Sequence, residues 1–346
     1  MDIRVKDFGK EEKLYSLVND NGIILEVTTF GARIVNLYVP VETEKRNIVF
    51  GFDSTEEYQE KDTYIGSTIG RVAGRIRKGE FNIQDRWYQA AINTPEGNTL
   101  HGGPDSFETK SWTALTGQTK DRVSVEFSLT SEDGENGFPG NLQISVTYTL
   151  NNNNEWIINY KATTDQPTLF NPTNHVYFNL TGDPSQSVAE HQLMLEADQF
   201  AVVDQATLPT GEKRTVEGSP FDFRKVAPIK QAFESTNEQN KLVDGLDHPF
   251  FLNKPGTKNA KAKLIAPDKR VAVEVFTDQS AIVIFTAQLP DKWLIHGKPL
   301  IYHGGITFET QVCPGAEEFP EFGNIDLFPG EIYESRTCYR ILTEDQ

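Results

Sequence analysis

Residues 123–160 read VSVEFSLTSEDGENGFPGNLQISVTYTLNNNNEWIINY, and their spacing decides the fold class. Val123, Val125, Phe127 and Leu129 alternate with polar residues. Leu142, Ile144, Val146, Tyr148 and Leu150 do the same, and Trp156, Ile158 and Tyr160 repeat the pattern. A period of two places all the apolar side chains of a run on one face of an extended chain. The interruptions are turn chemistry: GENGFPG at 134–140 and four asparagines at 151–154, residues that tolerate left-handed backbone or bond to it locally. Three consecutive antiparallel strands are predicted.

The same reading extends in both directions. LYSLV and IILEVTTF flank Asn19-Asp20-Asn21-Gly22, a hairpin signal. Further strands are expected at 80–84, 87–91, 271–276, 281–287, 306–312 and 332–342. Helix is confined to 54–61, where Ser54 is placed to cap with Glu57 three residues on, and to 227–235. Neither is long enough to organise a core. No linker, charge block or fixed repeat divides the chain, so one all-β domain over 1–346 is expected, a large antiparallel β-sandwich with only short helices.

Charge and composition exclude several classes. With 33 Lys and Arg against 50 Asp and Glu, the formal charge is −17, which argues against a nucleic-acid partner. The opening MDIRVKDFGKEEKLYSL has neither a signal-peptide nor a transit-peptide pattern, and the apolar run AIVIF at 281–285 is strand-sized. A cytoplasmic protein with no membrane partner is expected. Cys313 and Cys338 are too few for a disulfide framework and read as reduced, inert thiols. None of the six histidines lies in a zinc spacing, and dinucleotide, P-loop and nucleophile-elbow motifs are missing.

The stretch most suggestive of chemistry is NPTNHVYFNL at 171–180. Read as one strand from Thr173, it places His175, Tyr177 and Asn179 on one face and Val176, Phe178 and Leu180 on the other. GGITFETQ at 304–311 repeats the device: Thr307, Glu309 and Gln311 oppose Ile306 and Phe308, after a glycine pair that permits close approach. LHGG at 100–103 carries His101, GLDHPF at 245–250 carries Asp247, and GRVAGRI at 70–76 carries Arg71 and Arg75. Each alone reads equally as a turn, a cap or a surface ion pair.

Together with NGFPG at 136–140, these segments resemble, in order and across nearly the whole chain, the galactose mutarotase, or aldose 1-epimerase, family. The resemblance implies a galactose mutarotase-like β-supersandwich that interconverts the α and β anomers of free aldoses such as galactose or glucose, with no metal or organic cofactor, as a monomer or homodimer. By motif, Glu309 resembles the catalytic base and His175 the acid. His101 resembles a second active-site histidine, Arg75 and Asp247 the hydroxyl-binding residues, and Phe285 an aromatic wall, with Asn174 and Tyr177 as secondary contacts. Many members carry Asn where this chain has Gly74. The competing readings are a glycoside hydrolase pairing Glu309 with Asp247, a non-catalytic sugar-binding module, and an epimerase for maltose or for a hexose 6-phosphate held by the basic cluster Arg71, Arg75, Arg77 and Lys78.

Overall fold

A computed structural model describes all residues except 255, 257, 290–292 and 345–346. Its centre is the predicted strand triplet. Arg122–Ser131, Leu142–Asn151 and Glu155–Thr164 are consecutive antiparallel strands of a nine-stranded sheet. Their register converts the sequence alternation into apolar rungs: Val125 faces Tyr148, which faces Ile158, and Phe127 faces Val146, which faces Tyr160. These six side chains are buried. Between them Glu126, Ser128 and Gln143 point outward and are exposed. The sheet continues through Tyr333–Thr343 to Val271–Thr277 and beyond, so the last long strand joins the two halves of the chain.

Two five-stranded sheets complete the layers. The first is a meander of the N-terminal strands, from Asp2–Asp7 to Glu44–Asn47, with the 19–22 hairpin where the sequence placed it. The second runs Pro209–Thr215, Ala197–Val203, Asp247–Leu252, Ala281–Phe285, Glu309–Gln311. One continuous apolar cluster draws residues from all three sheets, including Leu25, Phe127, Trp156, Phe250 and Ile284. Helices are short: Thr55–Glu60, where the Ser54 hydroxyl accepts the Glu57 amide as expected, Lys230–Phe233 and Glu238–Leu242. The span 227–235, expected to be helical throughout, starts instead as a two-residue strand, Ala227–Pro228, on the edge of the large sheet. Pro228 occupies a terminal strand, where its missing N–H costs no ladder bond. Both cysteines are free and buried. Among the described residues no helix is long and apolar enough to cross a membrane.

The large sheet also sends two phenols through the core. Tyr148 donates to the Ala32 carbonyl at 2.7 Å and accepts from the Asn174 amide at 3.2 Å. Tyr339, stacked on Trp156 with ring centroids 4.5 Å apart, donates to the Phe308 carbonyl at 3.1 Å. Asn174 and Phe308 immediately precede His175 and Glu309 in sequence. Replacing Tyr148 by Phe leaves one buried Asn174 N–H without its acceptor, while the Ala32 carbonyl keeps the Thr68 hydroxyl, so a loss of about 1–3 kcal/mol in urea unfolding is expected. An unchanged unfolding midpoint would show that this phenol carries no anchoring role.

Candidate active site

Two strands change partners, and the change creates the site. Thr173–Asn174 pairs with Thr68–Ile69, whereas Tyr177–Phe178 pairs with Ile306–Thr307. At the switch, His175 donates its N–H to the Ser67 carbonyl and accepts from the Gly66 amide. The strand expected to run on from Thr173 is therefore broken at His175, and Asn179, expected on the same face, turns its amide to the carbonyls of Asp183, Gln186 and Gly304. On the other side, Glu309–Gln311 leaves Tyr177–Phe178 behind and pairs with Ala281–Val283. The two breaks bring His175 Nε2 to 3.4 Å from Glu309 Oε1, both side chains almost fully buried.

This pair lies in a cavity of about 350 Å³, within the roughly 300–1,000 Å³ range of small-molecule sites. His101, Arg75, Asp247, Tyr177 and Phe285 also line it. Leu100 pairs with Arg75, which sets His101 beside the guanidinium, and Asp247 pairs with Phe285 at the head of the neighbouring strands. His101 has a left-handed backbone, φ 52°, and its Nδ1 accepts the Gly74 amide at 3.1 Å. That bond assigns the ring proton to Nε2 in the neutral imidazole, making it a donor. The His101 and His175 rings meet edge-to-face, centroids 5.3 Å apart.

The structure decides several of these positions, and two of the expectations, for Asn174 and Arg71, are corrected. Asn174 does not reach the cavity: its amide is committed to Gly66, Tyr148 and the Val176 N–H. Arg71 is a clamp of the 131–140 turn, with six hydrogen bonds to the carbonyls of Ser131, Glu132, Pro139 and Gly140 and the hydroxyls of Ser131 and Thr168. Gly305 is packed by the Phe50 ring, which a Cβ would meet at 2.6 Å, so the close approach there is internal. Gly74 has φ +81°, and a Cβ there would lie 2.7 Å from Pro314, so this position offers only backbone to a ligand. Asp62 and Tyr64 line the cavity and were not singled out from sequence. Their only signal was proximity to GRVAGRI.

Burial dominates the electrostatics. It pushes the Glu309 carboxyl up to about 8, with the Asp247 carboxylate adding to the effect and the Thr307 hydroxyl and Arg75 opposing it. Burial also raises Asp247, against Arg75 and His175. It lowers His175, against Asp62 and Asp247, and lowers His101 well below the usual imidazole value, with His175 and Arg75 adding to it. The His175–Glu309 pair therefore favours one shared proton over two separated charges. A broader depression of about 570 Å³ on the nine-stranded sheet, between Glu126 and Lys161, is lined mostly by exposed or half-exposed side chains and has no such pair.

Donor atoms of His101, His175 and Glu309 lie within 4.8 Å of one another. What they present to a ligand is an imidazole N–H, an imidazole and a carboxyl converging on one point, with a guanidinium and a second carboxylate alongside. Such a set is able to give and take protons on a molecule bound between them. The sequence profile described as aldose 1-epimerase matches residues 13–340. The chain is 36% identical over 318 residues to galactose mutarotase of Sus scrofa, covering 91% of this chain and 90% of the relative. It is 33% identical over 342 residues to aldose 1-epimerase of Escherichia coli K12, covering 97% of each. The chain belongs to the aldose 1-epimerase family. The epimerase is thus an isomerase of carbohydrates. Its fold matches the crystal structure of galactose 1-epimerase from Lactobacillus acidophilus with a TM-score of 0.87 at 30% identity, covering 99% of this chain and 98% of the other.

The two arginines of GRVAGRI should separate cleanly. Arg71→Lys in the epimerase cannot satisfy the same buried carbonyls and is expected to cost about 3 kcal/mol or more. Arg75→Lys, at a residue that makes no hydrogen bond or ion pair among the described residues, should leave the melting temperature within a degree or two. Equal melting shifts for both would contradict the assignment of Arg71 as the structural member.

Proposed function

We propose that the epimerase interconverts the anomers of free aldohexoses such as galactose and glucose, with Glu309 as base and His175 as acid, the 1–346 chain acting as one catalytic unit. The observation that carries this reading is the 3.4 Å approach of His175 Nε2 and Glu309 Oε1 in the floor of the cavity. Ring opening of a hemiacetal removes a proton from the anomeric hydroxyl and delivers one to the ring oxygen. Glu309 takes the first and His175 gives the second. Rotation about C1–C2 presents the other face of the aldehyde, and closure returns both protons. No electron pair is lost or gained overall, and each residue ends in its starting state after the reverse transfer.

The surrounding groups fit supporting roles. The His101 Nε2–H donates to a sugar oxygen, while Arg75 and Asp247 supply a donor and an acceptor for hydroxyls. The faces of Phe285 and Tyr177 close the wall against the ring. An uncharged sugar is favoured over a hexose phosphate. Of the basic cluster in the sequence, Arg71 is buried in its turn, Arg77 pairs with Asp204 and Glu318, and only Arg75 lines the cavity, opposite Asp62, Asp247 and Glu309.

Polarimetry of freshly dissolved α-D-galactose and α-D-glucose tests the roles. General acid–base groups are worth roughly 10²–10⁴-fold each, so Glu309→Gln and His175→Asn should each lose at least 100-fold in kcat while remaining folded. Near-normal turnover by either variant would remove that residue from the mechanism. Arg75→Ala should raise KM as well as lower kcat.

The shared proton sets the pH dependence. The active pair carries one proton, so kcat/KM should be bell-shaped. Its alkaline limb should fall near pH 8, where Glu309 gives up the last proton, and its acid limb below the usual imidazole value of about 6.5. A profile still rising above pH 9 would exclude this proton inventory.

A further inference from the structure

His175 has no hydrogen-bond partner at Nδ1 among the described residues, and that atom is buried. No bond on the far side of the ring fixes its orientation or favours its charged form, as a carboxylate does for many catalytic histidines. The ring is held instead by what surrounds it, and the segment 62–67 supplies one of its ring contacts and both backbone hydrogen bonds of the residue. The Asp62 carboxylate accepts the Tyr64 N–H at 2.6 Å. The Tyr64 carbonyl accepts both the N–H and the hydroxyl of Ser67. Buried Arg33 binds the carbonyls of Thr63 and Ile65 from behind, at 3.0 and 3.2 Å.

The segment thus fastened meets both histidines. Gly66 and Ser67 make the two backbone hydrogen bonds of His175. The Tyr64 ring stacks on His175 at 6.4 Å, with 30° between planes, and stands edge-on to His101 at 5.0 Å. Asp62 is a third carboxylate in the cavity wall; burial raises its own proton affinity against the Tyr64 N–H and His175, and its charge favours the His175 imidazolium. His101, Tyr177 and Glu309 face the same ring from other segments. Arg75 and Asp247 share its cavity, and Asp247 acts on it in the same direction as Asp62, more weakly.

We propose that Asp62 is the positioning residue of the proton donor: its carboxylate fastens the 62–67 segment against both histidines and sets a negative charge facing the His175 imidazole. The proposal rests on His175 being the acid. When a single proton is shared between Glu309 and His175, catalysis uses the arrangement with carboxylate and imidazolium, and a charge at Asp62 raises the share of that arrangement. Asp62 need not touch the sugar to do so.

Asp62→Asn keeps an oxygen acceptor for the Tyr64 N–H and removes the charge. The imidazole titration of His175, followed by NMR and assigned with His175→Asn, should move about one unit to lower pH. The acid limb of kcat/KM should move with it, and the plateau should fall about tenfold, because one unit is a factor of ten in the active arrangement. The alkaline limb should stay. Asp62→Glu, which keeps the charge and displaces the clamp, should be slower without moving the acid limb. An unmoved imidazole titration in Asp62→Asn, or a raised KM with an unmoved profile, overturns the proposal, the second outcome making Asp62 a sugar ligand. Full turnover by His175→Asn would instead overturn the acid assignment. The NMR titration needs no activity, so the two failures are distinguishable.

Discussion

The structure depends on two phenolic hydrogen bonds that cross its core. Tyr148 and Tyr339 are rooted in the nine-stranded sheet, packed against Trp156, and reach out to Asn174 and to the Phe308 carbonyl. Each such bond contributes only about 1 kcal/mol net, but leaving its partner unmatched in the core costs more. Their positional effect exceeds their energy. Tyr148 holds the side chain, and Tyr339 the backbone carbonyl, of the residue just before a group of the reacting pair, so a wide sheet helps define a 3.4 Å contact that lies outside it.

That contact also needs both site strands to be short. A strand that continued through His175 would keep one neighbour and alternate its side chains between a core and a solvent face. By switching from Thr68–Ile69 to Ile306–Thr307, the 171–180 segment is buried on both sides, with His175 at the bend. Glu309 follows the same rule one layer away, entering the second five-stranded sheet beside Val283. Sheet edges are ordinarily a liability for aggregation. Here the broken edges face one another and enclose the cavity.

Five strands of the large sheet, Arg122–Ser131, Leu142–Asn151, Glu155–Thr164, Val271–Thr277 and Tyr333–Thr343, were legible because each is long, regular and half-buried, and the period of two reports that condition directly; Thr113–Gln118, Gln192–Leu195, Ala262–Ile265 and Ala227–Pro228 were not. The seven cavity residues His101, Arg75, His175, Tyr177, Asp247, Phe285 and Glu309 stood out because they sit in motifs resembling a known family. What escaped the sequence has a physical reason in each case. Asn174 and His175 are adjacent and both polar, and it is partners distant in sequence, Tyr148 and the Gly66 carbonyl, together with the Val176 N–H, that bond one internally while the other faces the cavity. Arg71 and Arg75 share a motif, yet the buried carbonyls that claim Arg71 come from the 131–140 turn, about sixty residues on. Asp62 and Tyr64 lie in an irregular segment with no periodicity to read.

The charge pattern of the cavity follows from the same burial. Among the described residues three carboxylates share it with a single guanidinium, and low solvent access raises the cost of charge on each carboxylate. In water a carboxylate and an imidazole separated by 3.4 Å would settle as base and acid according to their ordinary affinities, with the proton on the imidazole. In this cavity burial raises the affinity of Glu309 and lowers that of His175, so the two approach and cross. Burial thus works against the ordinary ordering, in which the imidazole alone would hold the proton, and leaves both groups able to give a proton as well as take one. For a reaction whose product differs from its substrate only in the configuration of one carbon, that symmetry is the useful property, since each group must act as donor on one pass and acceptor on the next.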